Sequence, residues 1–146
     1  LLPSRHRRGA RPRRSLRVED RGRPRYIPGM ESIIYTMVRD ADWREAERLG
    51  AYRGSADDRR DGFLHFSTAA QLRASAAKHR AGETGLLLVA VEAAALGAAL
   101  AWEPARSGRP GLFPHLHAAL PLAAVRGVTP LPLGPDGLHR FPPDIP

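Results

Sequence analysis

The sequence contains no cysteine, which excludes disulfides, thiolate zinc sites and a cysteine nucleophile. It holds a single lysine, Lys78, so nearly all of its positive charge is guanidinium. Aromatic residues make up only 6% of the chain. Long apolar runs are missing too. The longest, Leu86 to Trp102, is interrupted by Glu92 and is shorter than the roughly 20 residues that a membrane span requires. The expectation is a soluble, cytoplasmic protein without a membrane partner. Glycine-rich phosphate loops, the nucleophile elbow, the HExxH pair and EF-hand spacing are all absent.

What is present amounts to one domain. The chain has 146 residues, 42% of them hydrophobic, which is enough for a single core. Its formal charge of +8 is unevenly placed. Residues 1–29 hold ten arginines against Glu19 and Asp20, so the whole excess lies there and the rest of the chain is neutral. Arginine without lysine is what a GC-rich stretch encodes. Residues 1–29 therefore read as an upstream extension of the gene model, with initiation at Met30, or as a disordered basic arm that meets phosphates non-specifically. The neutral domain at 30–146 gives no support to nucleic-acid binding.

Within that domain, Ile33–Val38 is β-branched and aromatic and reads as a strand buried on both faces. Asp42 and Glu45 have capping-box spacing, and Gly50 suits the end of the helix they would open. Residues 51–61 read as a charged loop. A second strand is expected over Gly62–Ser67, and a second capping box at Thr68 and Gln71 opens a helix ending near Gly82. Gly85–Val91 reads as a buried strand, and Ala93–Ala101 as a short helix or extended chain. Phe113–His117 and Leu122–Val128 read as short strands. Six prolines from Thr129 onward predict an extended C-terminal segment, 129–146. The order predicts an α+β domain with two main helices.

Three clusters carry potential chemistry. In the Gly62–Ser67 strand, alternation places Phe63, His65 and Ser67 on one face and Leu64 and Phe66 on the other. Thr68 stands beside them at a helix start, where free amides favour an anion. His115 and His117 would share a strand face, but no carboxylate at a suitable spacing completes a metal site. Trp102, Glu103 and Arg106 could set a carboxylate beside an anion-binding guanidinium. Each has a plainer reading, as a structural histidine, isolated polar contacts or a surface ion pair.

Tyr52-Arg53-Gly54-Ser55, Asp58, the octet Asp61 to Thr68, Trp102-Glu103 with Arg106, and Phe113-Pro114-His115-Leu116 together resemble the domain of unknown function 952 family, largely bacterial, from about Ile33 to Phe141. That family's fold is similar to the ADP-ribosyltransferase superfamily, in which a mixed, split β-sheet holds NAD in a cleft. The resemblance implies that His65 and Ser67 orient NAD, and Thr68 at the helix start stands beside them as a further cofactor-binding candidate. It further implies that Arg106 neutralises the pyrophosphate, and that Glu103 or His115 stabilises the oxocarbenium-like centre as nicotinamide departs. Where the superfamily has glycine between the histidine and the hydroxyl, this chain has Phe66. Two functions follow: an NAD-dependent transferase, with His65, Glu103 and His115 catalytic, or a non-catalytic module binding a nucleotide or other anion in the same cleft.

Overall fold

A computed structural model describes residues 32–145, so the arginine-rich segment 1–29 lies outside the described residues. Strand β1 (Ile33–Arg39) leads directly into helix α1 (Asp40–Leu49). The short strand β2 (Ala51–Tyr52), helix α2 (Ala56–Asp61), strand β3 (Leu64–His65) and helix α3 (Ala69–His79) follow. Strand β4 (Leu86–Glu92) continues into a 3-10 segment (Ala93–Ala99) and then β5 (Leu100–Pro104), β6 (Leu112–Leu116), β7 (Leu120–Pro121) and β8 (Val125–Leu131). The strands form three small sheets, ordered β1-β4-β8, β2-β7 and β3-β6-β5. The class is α+β in a single domain, as expected. Every pairing among the described strands is antiparallel, however, so the sheets are not of mixed direction.

The β1-β4-β8 sheet is packed on both faces, which explains why β1 and β4 read as apolar without alternation. Ile34 and Val38 of β1 join Val89 and Val91 of β4 in one cluster with Trp43, Tyr52, Leu64, Phe66 and Leu116. On the other face Leu86 and Leu88 meet Leu72 of α3, with Tyr35 and Met37 packed against them. Helix α1 contributes Trp43 and Ala46 to the first cluster and ends at Gly50, whose φ of 81° suits only glycine readily. Truncating Trp43 to alanine would cost about 3–5 kcal/mol.

Several local expectations are corrected. Helix α1 begins at Asp40 rather than at an Asp42 cap, and Glu45 pairs with Arg48, not with a backbone amide. Residues 51–61 are not a loop. The segment forms β2 and then α2, opened by a capping box between Ser55 and Asp58. The strand expected over Gly62–Ser67 is confined to Leu64–His65, because Ser67 leaves β6 to bridge Tyr35 of β1. Helix α3 stops at His79, short of Gly82. The strand expected to end at Val128 runs on to Leu131, so the first residues of the proline-rich segment pair with β4. The capping box at Thr68 and Gln71 is present as expected.

Candidate functional site

The site grows from Asp58. Its Oδ2 accepts the Ser55 amide at 2.7 Å, closing the capping box that starts α2. Its Oδ1 accepts the His65 amide at 3.0 Å and lies 2.5 Å from His65 Nδ1. The other ring nitrogen of His65 is 2.9 Å from Asp61 Oδ2. One histidine on β3 is thus held between two carboxylates of α2. Burial disfavours charge on the ring, but the hydrogen bond to Asp58 and the charges of Asp58 and Asp61 outweigh it, and the pKa of His65 is raised. Burial also works against ionised Asp58, yet its bonds to His65 and Ser55 hold it below the ordinary carboxylate value. Close approach makes a demand on the neighbouring loop. Gly54 has φ of 102°, and a Cβ there would lie 2.7 Å from Asp58 Cβ.

His115, opposite His65 in the β3–β6 pairing, behaves differently. Its side chain is only 4% exposed and lies stacked on Phe63, with ring centroids 4.1 Å apart. Burial lowers its pKa, against the hydrogen bond it donates to Glu103 and helped by the charge of His65. Glu103 Oε1 lies 3.1 Å from His115 Nδ1 and 2.6 Å from His117 Nε2. The two histidines therefore share a face, as expected, and the carboxylate that joins them comes from β5. The hydrogen bond to His117, more than its other surroundings, holds Glu103 below the usual glutamate value. Among the described residues no group of histidine and carboxylate side chains is arranged to hold a metal ion.

A cleft of about 380 Å³ opens beside His65. His65, Ser67, Arg106 and His115 line it, so four of the six expected site residues come together. Glu103 and Thr68 do not line it. Thr68 is buried and its hydroxyl accepts the Gln71 amide at 3.2 Å, which is its capping duty. The expected Glu103–Arg106 pairing is also corrected. Arg106 donates to the Asp61 carbonyl at 3.2 Å and sits 5.6 Å from the centroid of Phe63, while Glu103 is taken by the histidines.

Ser67 is buried and bonded to Ser75 of α3 at 2.9 Å, and Arg109 donates to the same Ser75 hydroxyl at 3.1 Å. Asp58, Asp61, Ser75 and Arg109 were given no role by sequence reasoning. The Ser55-x-x-Asp58 spacing is a capping signal that could have exposed the first of them. Ser75 lies mid-helix and Arg109 in the connection between β5 and β6, where no local pattern marks them.

The family described as "Protein of unknown function (DUF952)" matches residues 37–128. The chain belongs to this family. Among solved structures, the chain is similar to protein CC0527 from Caulobacter crescentus. Its crystal structure is 40% identical to this chain and superposes with a TM-score of 0.69, covering 74% of this chain and 93% of that one. A solution NMR structure of the same bacterial protein, 39% identical, gives a TM-score of 0.67 over 75% and 93%. No curated protein matches. The DUF952 assignment carries no activity with it. Among the described residues no helix is long and apolar enough to cross a membrane.

Proposed function

We infer that this DUF952 protein binds a nucleotide in the cleft around His65, with NAD as the first ligand to try. One observation carries the reading, namely that one cleft is lined by carboxylates and guanidinium groups together. Asp57, Asp58 and Asp61 of α2 line it with His65, and so do Arg60, Arg80, Arg106 and Arg109, with Phe113 also in the lining. Carboxylates accept from ribose hydroxyls, and guanidinium groups take phosphate. The cavity is of the size small-molecule sites have.

The alternative of NAD-dependent transfer draws support only from the likeness to ADP-ribosyltransferases stated above. It needs a carboxylate where the ribose becomes cationic. Glu103 is engaged by His115 and His117 outside the cleft lining, so binding without transfer accounts better for its placement.

The test is calorimetric titration of NAD into the full chain, repeated with His65→Gln, which keeps an amide to face Asp58. Binding in the micromolar range, weakened tenfold or more in the variant, is expected on the order of one charged contact. No heat at millimolar NAD would overturn the NAD reading.

A further inference from the structure

We propose that the phosphate of the bound nucleotide is taken by Arg109, backed by the hydroxyls of Ser75 and Ser67, and not by Arg106; this rests on the nucleotide reading above and names its anion contact.

Four arginines line the cleft: Arg60, Arg80, Arg106 and Arg109. Three of them already face carboxylates. Arg60 lies 3.4 Å from Asp57 and 3.2 Å from Asp61. Arg80 reaches Glu83 at 3.2 Å and donates to the Met37 carbonyl at 3.3 Å. Arg106 lies 3.8 Å from the Asp61 carboxylate, in addition to its bond to the Asp61 carbonyl. Arg109 alone among them has no acidic partner within the described residues. Its contacts are the neutral hydroxyl of Ser75 and the ring of Phe113, whose centroid is 4.7 Å from the guanidinium carbon.

Those two contacts orient the group without neutralising it. The guanidinium carbon lies over the Phe113 ring, a contact that consumes none of the group's five N–H donors. One donor goes to Ser75, and the rest are left for a ligand. Ser75 and Ser67 are both buried and bonded to each other, so the anchor behind Arg109 belongs to α3 and to the chain that leaves β3. His79 also lines the cleft, and its pKa is lowered by burial first and then by the charge of Arg109. A pre-oriented, unneutralised guanidinium lining a cleft favours a phosphate that it can grip with two parallel hydrogen bonds.

The experiment compares ADP with adenosine, titrated into the full chain and into Arg109→Gln, Arg109→Lys and Arg106→Gln. The wild-type chain is expected to prefer ADP over adenosine by roughly ten- to a hundredfold, the scale of one charge-assisted bidentate contact. Arg109→Gln should abolish that preference, weakening ADP far more than adenosine. Arg109→Lys, which restores the charge but not the fork, should recover part of it. Arg106→Gln should retain more of the preference than Arg109→Gln does. If Arg109→Gln keeps the full preference, or Arg106→Gln alone abolishes it, the phosphate lies elsewhere and this inference fails while nucleotide binding stands. If neither ADP, adenosine nor NAD binds the wild-type chain, the nucleotide reading itself fails and takes this inference with it.

Discussion

His65 Nδ1 and Asp58 Oδ1 are 2.5 Å apart, a contact that also fixes which way the ring of His65 faces. The pairing makes stability depend on pH from both sides. The folded pKa of His65 lies above its ordinary 6.5, so its contribution is complete below about pH 6.5 and is lost as pH rises through the raised value. The folded pKa of Asp58 lies below its ordinary 3.8, so its contribution is present above about pH 3.8 and is lost as pH falls through the lowered value. Maximal stability from this pair is therefore expected between those limits. Calorimetric melting temperatures from pH 4.5 to 9 should fall on the alkaline side. His65→Gln should remove part of that fall, and an unchanged alkaline slope in the variant would show that the pair contributes nothing.

Asp58→Asn should destabilise the fold by about 2–4 kcal/mol, because one buried carboxylate serves a helix cap, a backbone amide and a charged ring. Chemical denaturation reads this directly. A loss below about 0.5 kcal/mol, the range of an ordinary surface change, would mean that the three bonds are not cooperative.

Gly54→Ala should cost about 1–3 kcal/mol, since it adds both a positive-φ penalty and a Cβ pressed on Asp58. Asp58 would have to shift, so the pKa of His65, followed by proton NMR, should drop along with the melting temperature. A variant that lost stability but kept the His65 titration unchanged would separate the loop from the carboxylate.

Glu103→Gln should lower the pKa of His115 still further, because the glutamate hydrogen bond and charge are what oppose the effect of burial there. Titration of the imidazole carbon-bound protons by NMR measures it. A rise instead of a fall would mean that His115 is governed by something other than Glu103.

How much of this was legible depends on range along the chain. The capping box at Thr68 and Gln71 and the glycine stop at Gly50 are local patterns, and both appear where their spacing places them. The alternation of Phe63 and His65 was also readable, and both rings lie near His115. The second capping box, Ser55 to Asp58, went unread because its helix is only six residues long and carries no apolar period. The diversion of Arg106 towards Asp61 depends on a contact 45 residues apart in sequence, which no spacing rule reaches. Ser75 and Arg109 meet across 34 residues for the same reason.

Ser67 and Tyr35 exchange both of their backbone hydrogen bonds, each at 2.8 Å, outside any longer ladder. Those two bonds form a seam between the β1-β4-β8 sheet and the segment that leaves β3. Because Tyr35 and Ser67 both line the cleft, a ligand resting there would lie across the seam and brace it. Occupancy should then be visible in hydrogen exchange, with the amides of Tyr35 and Ser67 slowed together while those in the middle of β4 hold their rates. The cleft would serve as a clasp between two halves of the domain, and its occupancy would register in how freely those halves part.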